Sequence, residues 1–161
     1  MTTLSFFVPG IPRPGGSKKG FYIAKIKRVV ITDASGKPGK DWRGDVKAVA
    51  LQAYKGDPLD EPLRLSIEFT MPRPKNHYRS NGQLKPGAPH FHTSKPDTTK
   101  LIRSLEDALT GILWKDDSSV CMQSAVKVYG EKPGARVTLD SATTQPSIEV
   151  ALTTRTVAAA G

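Results

Sequence analysis

The chain has one cysteine, Cys121, in 161 residues. An intramolecular disulfide is excluded, and so is a cysteine-rich zinc site, which agrees with a reducing, cytoplasmic setting. The apolar neighbours of Cys121 predict a buried, inert thiol. Long apolar runs are also missing, since no stretch approaches the roughly 18 consecutive apolar residues that a membrane span needs. The opening "MTTLSFFVPGIPRPGG" has neither a basic n-region nor a long apolar h-region, so the sequence predicts a soluble protein that is not exported. Acidic residues are in short supply: 15 Asp and Glu against 24 Lys and Arg leave a net charge of +9, with a pI near 9.8. A polyanion is the natural partner for such a surface. The length is enough for one compact domain with a real core.

Hydrophobic periodicity organises the chain. Leu4, Phe6 and Val8 alternate with other residues up to Pro9 and predict a first strand. A Pro/Gly-rich loop follows, carrying Arg13, Lys18 and Lys19. "FYIAKIKRVVITD" is basic and β-prone, predicting one or two strands before a turn at "ASGKPGK". Trp42, Val46, Val49, Ala50 and Ala53 recur at helical spacing, with Asp41 placed to cap the first turn. The clearest strand is "LRLSIEFTM", where Leu63, Leu65, Ile67, Phe69 and Met71 alternate with Arg64, Ser66, Glu68 and Thr70. From Pro72 to Pro96 there is no periodicity and no acidic residue, and Lys75, Arg79 and Lys95 are spread along it. A loop of that length is uncommon unless functional, so it is a candidate DNA-contacting or lid segment.

A second amphipathic helix is predicted over residues 98–112 from Leu101, Ile102, Leu105, Ala108, Leu109 and Ile112. "SVCMQSAVKVYG" and "ARVTLD" read as two strands of a hairpin joined by "GEKPG". Near the C-terminus "SIEVAL" predicts an edge strand and "TTRTVAAAG" a frayed tail. The reading is an α+β fold: one domain over residues 1–140, a small mixed β-sheet packed with two main α-helices, and a weakly structured extension over 141–161. Membrane binding is set aside, because neither helix opposes a Lys/Arg-rich face to bulky aromatics.

Against the basic background three carboxylates stand out. Asp97 precedes the second helix, where an Asp is also a preferred N-cap. Asp116 and Asp117 are adjacent, and two neighbouring carboxylates repel each other with no evident gain in stability. A divalent cation removes that repulsion, and Mg²⁺ prefers carboxylate oxygens, completing its shell with water and phosphate. A basic protein that is acidic at one point fits metal-dependent cleavage of a phosphodiester. His90 and His92 would point the same way in extended chain. They lack a third soft ligand nearby and read better as solvent-facing or phosphate-contacting groups than as a zinc site. Phe91 between them either stacks on an unpaired base or pins the loop to the core.

"KPDTTKLIRSLEDALTG", followed by "WKDDSSV", resembles the RusA family of Holliday-junction resolvases, in which a KPD motif opens a helix ending DAL-x-G before a DD pair. The opening "FFVPGIPRPGGSKKG" and the later "KVYGEKPGARVTL" extend the likeness over most of residues 4–139. What the resemblance implies is a homodimeric, Mg²⁺-dependent endonuclease, with Mn²⁺ as a substitute metal, that nicks four-way DNA junctions symmetrically and is commonly encoded in phages or prophages. It places catalytic and metal-binding roles on Asp97, Asp117 and Asp116, the second of the pair being the better candidate, and a basic catalytic role on Arg103. Arg13, Lys18, Lys19, Lys75, Arg79, Lys95 and Lys100 are the expected DNA contacts. Asp107 matches the DAL aspartate, although an ion pair with Arg103 four residues earlier accounts for it equally well. Thr99 stands where the family has a second aspartate, so the site lacks one charge. The alternative reading is a branched-DNA-binding protein that keeps the fold and cleaves weakly or not at all.

Geometry adds one expectation. A helix over 98–112 separates its ends by about 21 Å. The five steps from Ile112 to Asp117 retrace at most roughly 17 Å. Either the helix is shorter than its stripe, or a two-fold dimer brings a DD carboxylate to the partner's Asp97.

Overall fold

Strict alternation along Leu63–Pro72 makes this segment the spine of the molecule. The computed structural model describes residues 3–16, 18–23, 27–33 and 36–142. Among these are six strands, β1 (Thr3–Pro9), β2 (Lys18–Ile23), β3 (Arg28–Asp33), β4 (Leu63–Pro72), β5 (Val120–Gly130) and β6 (Gly134–Ser141). Two α-helices accompany them, α1 (Gly36–Ala53) and α2 (Thr98–Leu109). β1, β6, β4 and β5 form one mixed sheet in that order, and β2 and β3 pair separately as an antiparallel hairpin. The fold is α+β. The expected strand at "SIEVAL" and the tail lie outside the described residues.

One face of the sheet carries the core. Leu63, Leu65, Ile67, Phe69 and Met71 of β4, Phe6 and Val8 of β1, and Ala135, Val137 and Leu139 of β6 are buried. They pack with Trp42, Val46 and Ala50 of α1 and Leu101, Leu105, Ala108 and Leu109 of α2. The other face is largely polar, with Ser66 bonded to Ser124 and Ser5 to Thr138 through their hydroxyls.

Four expectations are corrected. The expected β5–β6 hairpin is not formed, because β4 lies between them, parallel to β5 and antiparallel to β6. Two strand spacings amount to about 10 Å, and the four steps from Gly130 to Gly134 cover about 13 Å, so "EKP" passes over the end of β4. A Cβ on Gly134 would meet the Phe7 ring and lie 2.5 Å from the Val8 carbonyl oxygen, which explains glycine where β6 enters beside β1. Helix α1 starts at Gly36, before the predicted cap. Pro38 falls in its first turn, where a missing N–H needs no partner, and Asp41 instead pairs with Lys37 at 2.8 Å. Cys121 is exposed rather than buried; β5 is an edge strand, and its apolar neighbours Val120 and Met122 are themselves only half-buried. Helix α2 ends at Leu109, with Gly111 at φ 81° reversing the chain.

Candidate active site

Asp97 occupies the N-cap position of α2, with extended backbone at φ −66° and ψ 141°, yet its side chain makes no capping hydrogen bond. Its carbonyl accepts from Lys100 N and Leu101 N at 3.1 and 3.2 Å, so the backbone is fixed while the carboxylate is turned outward. It lies 3.3 Å from Lys100 Nζ, both side chains more than half exposed, a contact worth little in stability. The carboxylate opens into a groove of about 560 Å³ lined by Ile11, Arg13, Met71, His92, Lys95 and Lys100, among others. Three of the expected DNA contacts, Arg13, Lys95 and Lys100, thus surround Asp97. Lys75 and Arg79 are exposed farther out on the same long loop. The strand β2 backbone carries Lys18 and Lys19, whose side chains lie outside the described residues.

That loop is held at several points rather than free. Phe91 bridges Val128 of β5, with His92 N donating to Lys127 O at 3.0 Å and Tyr129 N to His90 O at 2.9 Å. Tyr129 is flanked by the rings of His77 at 4.9 Å and His92 at 4.8 Å. The Arg73 guanidinium sits over it at 5.3 Å from the centroid. Burial, with the Lys127 charge next, holds the His92 imidazole below its usual range. Phe91 is 58% exposed, so it does not pin the loop to the core. No three His, Cys, Asp or Glu side chains are grouped to hold a metal among the described residues.

The DD pair occupies the other end of α2. Trp114, fully buried, fixes this turn: its indole donates to Thr110 Oγ1 at 3.1 Å and its carbonyl accepts from Gly111 N at 2.7 Å. The two aspartates differ in what they do. Asp116 Oδ1 accepts from Ser118 N at 2.9 Å, capping the 3₁₀ turn Asp117–Ser119. The Ser118 hydrogen bonds keep its carboxyl below the ordinary range. Asp117 makes no cap and faces a depression lined by Glu106, Ser118, Val120, Cys121 and Gln123. Glu106 is half-buried there and accepts from Gln123 Nε2. Burial first and the Asp117 charge second raise its pKa above the ordinary value.

Asp97 therefore shares a groove with the C-terminal end of β4, while Asp117 precedes β5 beside the start of β4, where Leu63 pairs with Val120. Helix α2, of 12 residues, is about 18 Å long, with Asp97 at its N-cap and Asp117 beside Glu106 in its last turn. Between the two ends, Thr99, Arg103 and Asp107 are exposed along α2. Arg103 and Asp107 form no ion pair among the described residues, so that account of the DAL aspartate is not realised.

The family model of the RusA endodeoxyribonucleases matches residues 12–140. The chain belongs to the RusA endodeoxyribonuclease family. Its matched region takes in both acidic ends of α2, the groove residues Arg13, Lys95 and Lys100, and all of the sheet except β1 and the last residue of β6. The chain is also 26% identical, over 145 residues covering 85% of its length and 95% of the relative's, to the uncharacterized protein YqaN of Bacillus subtilis (strain 168). No helix among the described residues is long and apolar enough to cross a membrane. Glu106, Lys127 and Tyr129 are not singled out by the sequence, and His77 carries no readable signal in it. Lys127 and Tyr129 lie in the quoted "KVYG" and, two apart on a strand, point to one side.

Proposed function

We propose that this member of the RusA family is a metal-dependent, structure-selective endodeoxyribonuclease that resolves four-way junctions by paired, symmetric nicks. The observation that carries the reading is Asp97: a carboxylate at a helix N-cap that does not cap, directed instead into a groove lined by Arg13, Lys95 and Lys100. Capping by Asp is worth about 1 kcal/mol, so turning away from it needs another use for the charge. The donor set fits Mg²⁺ chemically, being carboxylate oxygen throughout. Asp97 and Asp117, with Asp116 beside it, would hold the ion.

These carboxylates sit at opposite ends of α2, so one chain does not assemble the set. A homodimer in which the partner's Asp117 meets Asp97 completes it, and two such sites match the two strands a junction requires to be cut. When bound, the metal supplies an activated water and neutralises charge at the scissile phosphate. The protein's own residues hold and orient the DNA. Arg13, Lys95 and Lys100 bind backbone phosphates in the Asp97 groove, and Arg103, exposed one turn beyond Thr99, would neutralise a phosphate oxygen. The second reading, a branched-DNA-binding protein with little or no cleavage, is favoured by Thr99, a neutral hydroxyl where the family has an aspartate.

A labelled four-way junction and a matched linear duplex, each with and without Mg²⁺ or Mn²⁺, separate these readings. Paired nicks in the junction alone, and only with metal, are expected. Equal cutting of linear duplex refutes junction selectivity, and tight junction binding without cutting in either metal selects the binding protein. Affinity should fall steeply with salt, and Arg13→Ala or Lys100→Ala should each flatten the log–log slope by about one.

A further inference from the structure

The residues just before Asp97 have their carbonyls tied down by one distant side chain. Lys127 Nζ donates to Ser94 O at 2.7 Å and to Pro96 O at 2.6 Å. Lys127 is paired with Phe69 across β4 and β5, so it stands on the sheet face that carries the helices, and it is half-buried. Among the described residues it has no carboxylate partner. Its charge is met by these two carbonyl dipoles. A stem that served only to pack would do so better as methionine, without the cost of drawing an ammonium out of water.

We propose that Lys127 is a positioning residue of the cleavage site, holding the chain before Asp97 so that the Asp97 carboxylate points into the basic groove. The inference rests on the reading that Asp97 takes part in cleavage. The Pro96 carbonyl lies in the plane of the Pro96–Asp97 peptide, so holding its oxygen fixes that plane and the direction from which the chain enters Asp97. On the other side Asp97 O is held by Lys100 N and Leu101 N. Gripped from both sides, the backbone leaves the carboxylate outside capping reach of the Thr99 and Lys100 amides. Release of the upstream grip lets Asp97 fall back into its ordinary work as an N-cap, accepting from those amides. The carboxylate then leaves the groove, although every residue of the DNA-binding surface is still present.

The test uses the full-length protein with Lys127→Met and Lys127→Arg. Lys127→Met is expected to lower the single-turnover cleavage rate at saturating protein and metal by about 10- to 100-fold, the usual effect of removing a group that orients a metal-binding side chain. Metal-free junction affinity should stay within about twofold of the parent, and Lys127→Arg, which keeps charge and donors, should recover part of the rate. In NMR spectra of the metal-free protein the Thr99 and Lys100 amides should shift downfield in Lys127→Met, reporting the new cap. If Lys127→Met does not fold, Lys127→Gln, shorter by one bond and uncharged, gives the same readouts. A parental cleavage rate in a folded variant overturns the proposal. So does a rate loss that follows lost junction affinity and lost stability without rescue by arginine, because that is a structural role alone. Asp97→Asn cutting at the parental rate would instead overturn the role of Asp97, and with it the premise.

Discussion

Tyr129→Ala should loosen the long loop without unfolding the domain. The ring is flanked by two imidazoles at 4.9 and 4.8 Å and covered by the Arg73 guanidinium. Ring pairs of this kind contribute about 0.5–1.5 kcal/mol each, and an exposed cation–π contact about 0.5–1. Together the three amount to roughly 1.5–4 kcal/mol, all of it between β5 and the loop. The loop's local opening constant should therefore rise roughly ten- to several-hundred-fold, at about 1.4 kcal/mol per factor of ten. Amide hydrogen exchange reads this directly. Arg79 N, bonded to Gln83 O at 2.7 Å, Lys85 N, bonded to His77 O at 2.9 Å, and His92 N report on the loop, while core amides of β4 and β6 serve as reference. Tyr129→Phe is the control, since the hydroxyl makes no hydrogen bond among the described residues, and it should exchange like the parent. Unchanged loop protection in Tyr129→Ala, or acceleration shared equally by β4 and β6, would refute the claim that Tyr129 anchors this loop.

Two further outcomes follow from the acidic end of α2. Asp116→Ala should lower the melting temperature by removing the Ser118 cap and leave some cleavage, whereas Asp117→Asn should leave the melting temperature near the parent's and abolish cleavage; the reverse assignment would show that the capping geometry does not separate the pair. Glu106 has a folded-state pKa above its unfolded value of 4.5, mainly from burial, so its ionisation opposes folding as pH rises from about that value upward. Glu106→Gln should accordingly raise the melting temperature of the metal-free protein at pH 7 and lose that advantage near pH 4, and a lowered value at pH 7 would contradict it.

Much of the scaffold was legible because its signals are local. Strand β4 alternates buried residues with half-buried or exposed ones along its whole length, and the apolar stripe of α2 differs from the observed helix only where Gly111 turns the chain. What failed was strand partnership. A short Gly/Pro-rich connector encodes a reversal, and nothing in "GEKPG" states that β4 lies between the strands it joins. The start of α1 failed for a related reason: proline and glycine read as a turn, although proline fits a first helical turn. In the site, Asp97, Lys95 and Lys100 were legible from the motif, and Arg13 from the basic loop before it. The separation of Asp97 from Asp117 was not dictated by chain length: α2 ends at Leu109, eight steps from there could retrace it, and the pairing of Val120 with Leu63 holds Asp117 at the far end of β4. Lys127 and Tyr129 were not legible, since their partners are tens of residues away and the contact is made by folding, not by spacing. The division of labour between Asp116 and Asp117 needed the Ser118 hydrogen bond.

Mixed dimers test most directly whether a second chain completes the cleavage site. Asp97→Asn and Asp117→Asn subunits, each expected to be inactive alone, are combined with distinguishable tags, and heterodimers are purified and incubated with a four-way junction and Mg²⁺. If the partner's Asp117 meets Asp97, each heterodimer regains one intact site and nicks a single strand of the junction. Heterodimers verified by both tags that bind the junction and nick no strand would contradict the shared site.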